Sequence, residues 1–309
     1  LKCIFKNKSI EFKEYPVLIL MGNKYITVLK WLAVSFLTCS CSLTAQIYND
    51  SDSIICSLKF KLAADKNLKN EPINDVIAAI GKSFIGTEYR EHTLECEGTE
   101  SLVINFSGLD CTTFLENSLA ITRCIKEKKT SFENFKKELI KIRYREGIID
   151  KYPSRLHYFS DWIFDNEKKG IIKNISKEIG GMPLKFDLNF MSTHPDNYLE
   201  LKDHPEFIPI IEKQEKEISQ RKYYFVPKEN IIELEKKIHN GDLIAITSDI
   251  KGLDINHVGI ALRLDDGRIH LLHAPNKGFK VQVAEMPLTD YLSKIKHDTG
   301  IIIIRALEL

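Results

Sequence analysis

The 309-residue chain has no surplus of either charge: 44 basic residues stand against 43 acidic ones. Without a basic excess it lacks the electrostatic footprint of a nucleic-acid binder. It has no internal repeat and no low-complexity linker, so nothing marks it as a repeat array or a string of tethered modules. A His-Glu-x-x-His helix is absent, and with it the commonest signature of a zinc hydrolase. The close pair His270 and His273 falls in a strand-like run, where that spacing sends the two rings to opposite faces. No metal and no cofactor is therefore expected. No apolar run is long enough and uninterrupted enough for a stable membrane span. What remains is 43% hydrophobic, ample for one large core.

The N-terminal region differs in character from the rest. From Met21, Lys24 and Lys30 precede Trp31-Leu32-Ala33-Val34-Ser35-Phe36-Leu37, and small residues lead to Leu43-Thr44-Ala45. A charged segment, a short apolar segment and small residues are the pattern of a secretory signal peptide. Residues 21–45 are thus expected to be removed after Ala45, with 1–20 an overextended start. The product is expected to be exported, periplasmic or secreted. Lipid attachment at Cys39 or Cys41 is less favoured, because neither follows a Leu-Ala-Gly type sequence. Beyond residue 45 the chain holds 38 basic and 41 acidic residues, a net of −3. Its cysteines there are Cys56, Cys96, Cys111 and Cys124, and Cys56–Cys96 is the one bridge an oxidising compartment suggests.

Chemistry concentrates at three places. Asp110-Cys111-Thr112-Thr113-Phe114 opens a run in which Phe114, Leu115, Leu119, Ile121 and Ile125 recur at helical spacing. A cysteine at a helix start gains free N–H groups and the helix dipole, which lower a thiol pKa and can hold an oxyanion. Far downstream, His257-Val258-Gly259-Ile260-Ala261-Leu262 reads as a strand with His257, Gly259 and Ala261 on one face. Those small residues would leave room for the cysteine helix. Asp265-Asp266-Gly267 reads as a three-residue hairpin loop, with Gly267 in the left-handed position. Leu264 then faces Arg268, His270 faces Leu262, and His273 lies opposite Gly259, beside His257; a two-residue loop would instead bring His270 to that face. Cys111 as nucleophile, His257 as base and His273 as its orienting group make a thiol-hydrolase set.

Ile73, Val76, Ile77 and Ile80 predict a helix within 72–84; lysine-rich 126–145, 208–222 and 229–239 also read as helical. Residues 241–246, the hairpin, Val281 with Val283, and Ile301–Ile304 predict strands. The fold class expected is α+β: one catalytic domain over 46–309, with a helical insertion at 126–234 separating the cysteine from the histidines.

At these residues the chain resembles the NlpC-type, papain-like cell-wall cysteine peptidases, with Asp-Cys at a helix start, His-Val-Gly-Ile on a strand and His-Ala-Pro on the next. It is most similar to their N-acetylmuramoyl-L-alanine amidase-like branch. That likeness is carried by Gly81-Lys82-Ser83-Phe84-Ile85-Gly86-Thr87, Thr93-Leu94-Glu95 and Asp110–Glu116. It continues through Arg143–Gly147, Tyr152–Tyr158, Trp162, Phe190–Pro195 and Gly252–Gly259. Tyr89-Arg90-Glu91-His92 departs from it, standing where an apolar, proline-containing stretch is the pattern.

The resemblance implies an antiparallel sheet carrying the nucleophile helix. It also implies cleavage of the amide between N-acetylmuramic acid and L-alanine, with peptidoglycan fragments or muropeptides as partners. Asp110, Tyr89, Glu95, Ser154, Arg155, His157, Tyr158, Trp162 and Asn256 become substrate-binding expectations, since aromatic faces and polar groups together suit sugar rings. A stem-peptide endopeptidase of the same fold and a catalytically silent glycan-binding protein are the competing readings.

Overall fold

The computed structural model describes residues 46–95 and 98–309. The signal-peptide, start-site and lipid-attachment expectations lie outside the described residues. In chain order the numbered elements run β1 (Gln46–Ile47), α1 (Asp50–Asp65), α2 (Ile73–Lys82), β2 (Glu88–Tyr89), β3 (Leu102–Val103), β4 (Gly108–Leu109) and α3 (Cys111–Lys126). Next come α4 (Phe132–Arg143), α5 (Phe159–Lys168), β5 (Ile172–Asn174), β6 (Met182–Leu184), α6 (Ile208–Ser219) and β7 (Tyr223–Pro227). The chain closes with β8 (Leu243–Ser248), β9 (Ile255–Arg263), β10 (Ile269–His273), β11 (Gln282–Pro287), α7 (Leu288–Ser293) and β12 (Asp298–Ala306).

Mixed helix and sheet gives the α+β class. Among the described residues the main sheet has eight strands, seven of them in the order β11-β10-β9-β8-β12-β7-β6, with β5 also paired to β12. All its pairings are antiparallel. Alternation along these strands builds two cores. Val258, Ile260, Leu262 and Leu272 join the helical layer, while Ala261, Ile269 and Leu271 join Leu288 and Leu292 of α7 on the other face.

This arrangement overturns the expected use of the small residues. The layer of α2 and α3 packs on the Val258–Ile260–Leu262 face, opposite the one that carries Gly259 and Ala261. A Cβ at Gly259 would sit 2.7 Å from Leu271 Cδ1 and 2.8 Å from the Leu272 carbonyl oxygen. Gly259 therefore admits the neighbouring strand, not the helix. The close helix contact is instead made by Gly81 of α2, where a Cβ would meet Ile260 at 2.8 Å and Leu272 at 3.0 Å.

Helix α3 is buried all round from Thr113 to Ile125, not along a single stripe, because α1, α2 and α4 also pack on it. The 126–234 segment is not purely helical either. It supplies β5, β6 and β7, which extend the sheet beyond β12. Residues 229–239 form short turns around Ile231–Leu234 instead of one helix. Cys56 is a buried free thiol in the core; Cys96 lies outside the described residues.

Candidate active site

Asp110 caps α3. Its Oδ1 accepts from the Thr113 amide at 2.7 Å and the Thr113 hydroxyl at 2.8 Å, and its own amide donates back to Thr113 Oγ1 at 2.9 Å. Such a reciprocal cap contributes about 1 kcal/mol and fixes where the helix begins. Cys111 follows as the first helical residue, half-buried.

The thiol does not show the lowered pKa expected of a helix start. Burial, and after it the Asp110 carboxylate, push Cys111 up to about 12, against the pull of the Val258 and Thr112 backbone amides and the Thr112 hydroxyl. Burial disfavours the thiolate, and the capping carboxylate adds a negative charge beside it. Cys111 is a neutral thiol at rest, with Sγ 4.0 Å from Thr112 Oγ1.

The hairpin delivers the histidines in the expected register. His270 pairs with Leu262 and Leu272 with Ile260; the Leu264 amide bonds to the Arg268 carbonyl, and Gly267 adopts φ +77°. His257 Nε2 lies 2.8 Å from His273 Nδ1, with the rings edge to face. His270 points to the other face, bonded to Asp266 Oδ2 at 3.0 Å and the Ala284 carbonyl at 2.9 Å. Burial holds His257 down at about 4, and burial with the neighbouring His257 holds His273 at about 3. Both rings are neutral. With Nε2 of His257 committed to His273, Nδ1 is the nitrogen left to take a proton.

A bulge aims this strand. Ile246 pairs with His257 but Thr247 pairs with Ile255, so Asn256 is the extra residue directly before the histidine. Its amide nitrogen donates to buried Asp298 Oδ1 at 2.9 Å.

Two cavities meet here. One, of about 420 Å³, opens toward the 126–234 segment; the other, of about 630 Å³, opens toward the hairpin and α7. Among the described residues, Cys111, Asn256 and His257 alone line both. Tyr89 and His273 line the hairpin side, and Tyr291 of α7 stands edge-to-face on His273 with ring centres 5.5 Å apart. Burial pushes the Tyr89 phenol up to about 12, with Cys111 and Asp110 nearby adding to it, so it stays protonated.

The remaining expected binders divide. Asp110, Glu95, Arg155, His157 and Tyr158 line the insertion-side cavity. Several are already committed: Arg155 Nη1 donates to the Leu94 carbonyl at 2.8 Å, and the Tyr158 hydroxyl donates to Glu215 at 2.7 Å. His157 bonds the Tyr152 carbonyl at 2.9 Å, and burial with nearby Arg155 holds its ring neutral with a pKa of about 3. Glu95 accepts from His92 Nδ1 at 2.8 Å. Trp162 and Ser154 line neither cavity. Trp162 is wholly buried, stacked on Phe159 and donating to Glu116 at 3.2 Å; Ser154 Oγ accepts the Asp150 amide at 3.1 Å. Their polar atoms serve the core and a turn.

Sequence reasoning missed the floor of the insertion-side cavity. Glu116 of α3 and Arg143 of α4, both buried, are joined at 2.7 Å, and Arg143 also donates to the Val103 carbonyl at 2.7 Å. A charge amid the apolar residues of each helix was the available signal. Asp254 was also missed; it accepts the Ser160 and Ile255 amides, each at 2.7 Å, and ties α5 to the start of β9.

A family model described as AmiA-like, N-acetylmuramoyl-L-alanine amidase-like, matches residues 79–301. The chain belongs to this family. An N-acetylmuramoyl-L-alanine amidase from Bacteroides uniformis aligns at 35% identity and TM-score 0.73, covering 76% of this chain and 99% of that one. A provisionally named xylanase from Bacteroides fragilis aligns at 39% identity and TM-score 0.70, covering 74% and 99%. A Legionella pneumophila protein, LPG0564, shares the fold at 21% identity and TM-score 0.63, covering 84% and 97%. No curated protein matches the chain. Membership in the amidase-like family makes the protein a hydrolase whose implied substrate is peptidoglycan.

Proposed function

We propose that this amidase-like hydrolase is a cysteine enzyme of the NlpC-type, papain-like kind, acting on the amide between N-acetylmuramic acid and L-alanine. One observation carries the reading: the residues common to both cavities are a thiol, an imidazole backed by a second imidazole, and an asparagine. A bond cleaved there has substrate on both sides.

The neutral thiol of Cys111 attacks the lactyl carbonyl carbon as its proton passes to His257 Nδ1. His257, now cationic, donates through Nε2 to His273 Nδ1, which holds the ring in place. Collapse of the tetrahedral adduct breaks the C–N bond, and the alanine nitrogen leaves with that proton. A thioester on Cys111 remains. Water then attacks it, His257 takes one water proton and returns it to sulfur, and the muramoyl acid departs, losing the other proton to solvent as its carboxylate forms. The Thr113 amide is held by Asp110, so the oxyanion would draw on the earlier amides at the start of α3, those of Cys111 and Thr112.

The xylanase name of one neighbour would call for a carboxylate pair flanking a sugar bond; none of the three shared residues is a carboxylate. A stem-peptide endopeptidase would use the same three groups. We further propose an exported protein, cleaved after residue 45, with 46–309 as the catalytic domain. Mass spectrometry of products from a defined disaccharide–stem-peptide muropeptide tests the reading. Free disaccharide with intact L-alanine-headed peptide supports it, whereas a shortened peptide still joined to sugar replaces it with the endopeptidase.

A further inference from the structure

The two cavities differ in which charges are left uncommitted. On the insertion side both arginines are spent, Arg143 on Glu116 at 2.7 Å and Arg155 on Glu100 at 3.7 Å. Asp110 and Asp254 line the same wall with their oxygens on backbone amides, and Glu91 has no ion-pair partner among the described residues. The uncommitted charge there is negative. On the hairpin side Lys277 and Lys294 are exposed, and neither has a carboxylate within 4.0 Å among the described residues. Facing them is one solvent-exposed carboxylate, Glu285, because Asp298 is buried against Asn256. The cleft is polarised across Cys111.

The proposed substrate is polarised too. Its muramoyl half has spent the lactyl carboxyl in the scissile amide and is uncharged, while a stem peptide carries free carboxylates. We infer that the substrate lies in one direction only: sugar in the insertion-side cavity, acidic peptide in the hairpin-side cavity, with Lys277 and Lys294 reading the peptide carboxylates. This rests on the amidase reading and adds to it the orientation and the specificity residues. Like charge on the insertion side rejects the reversed pose, and the lysines favour the productive one.

The test uses two muropeptides that differ only in whether the peptide carboxylates are free or amidated. The full mature chain is expected to cleave the free acid with a kcat/KM roughly 5-fold above the amide, mostly through KM, as two exposed charge contacts allow. In Lys277→Glu/Lys294→Glu that ratio falls to one or below, while Lys213→Gln on α6, which lines neither cavity, keeps it. Added salt should lower the parent's ratio toward one, whereas in the double variant it should leave the ratio at one or raise it toward one. Cleavage of the muramoyl–alanine amide at equal kcat/KM for both substrates overturns the polarity and leaves the amidase reading intact. Failure to cleave that amide in either substrate overturns both.

Discussion

At Cys111 the difficulty is one of protons. Burial pushes the Cys111 thiol up to about 12 and holds His257 down at about 4, and both shifts disfavour an ion pair at rest. In the proposed mechanism the proton therefore moves as the sulfur attacks, with His257 taking it. Alkylation of the free protein by iodoacetamide should be slow at pH 7 and still climbing without a plateau at pH 11, because a thiol held up at about 12 is mostly protonated there. A fast plateau between pH 5 and 8 would contradict this. His257→Ala should cost about 10³-fold or more in kcat, the usual scale of lost general-base catalysis. His273→Ala should cost distinctly less, because it orients the ring without carrying the proton, and steady-state kinetics separate the two. These three residues were legible because type, spacing and hairpin register all pointed at one place. The polarity of the thiol was not, since it depends on how deeply the folded chain buries it and on the charge of the cap.

Among elements, the hairpin was readable because its register is set by five local residues, Leu264 to Arg268, with Gly267 in the left-handed region. Which face meets the helices was not, since period-two alternation names two faces and leaves open which one is covered. The structure answers with Gly259 against β10. Gly259→Ala should lower stability by about 1–3 kcal/mol, since a backbone carbonyl at 2.8 Å cannot step aside as a side-chain end can. Urea unfolding measures it, and an unchanged midpoint would contradict the packing. The Glu116–Arg143 bridge between α3 and α4 gives a second case. Arg143→Met leaves a buried carboxylate without its partner and should cost about 3–5 kcal/mol. Adding Glu116→Gln to Arg143→Met should recover part of that loss.

Over the whole molecule, 126–234 is where the sequence said least. β5 and β6 have three residues each, too short to show alternation, and they become strands only because β12 and β7 offer partners. The same segment helps bury His157, one of three histidines that burial holds neutral. Their folded pKa values, about 3 to 4, lie below the unfolded value of about 6.5. The unfolded chain therefore binds more protons in that window, so stability is full above pH 6.5 and is lost as pH falls toward 4. Melting temperature should drop across that range, and His157→Gln should flatten the slope; a melting temperature flat from pH 7 to 4.5 would contradict the burial of these rings.

The central claim is a thioester on Cys111 that carries the sugar half of the substrate. Acid-quenching the enzyme during turnover of a disaccharide–stem-peptide muropeptide, then weighing the peptide that contains Cys111, tests it most directly. The account predicts a mass increase equal to the muramoyl-containing acyl group, absent in Cys111→Ala. An adduct bearing stem-peptide residues, or turnover with Cys111 replaced, would contradict it.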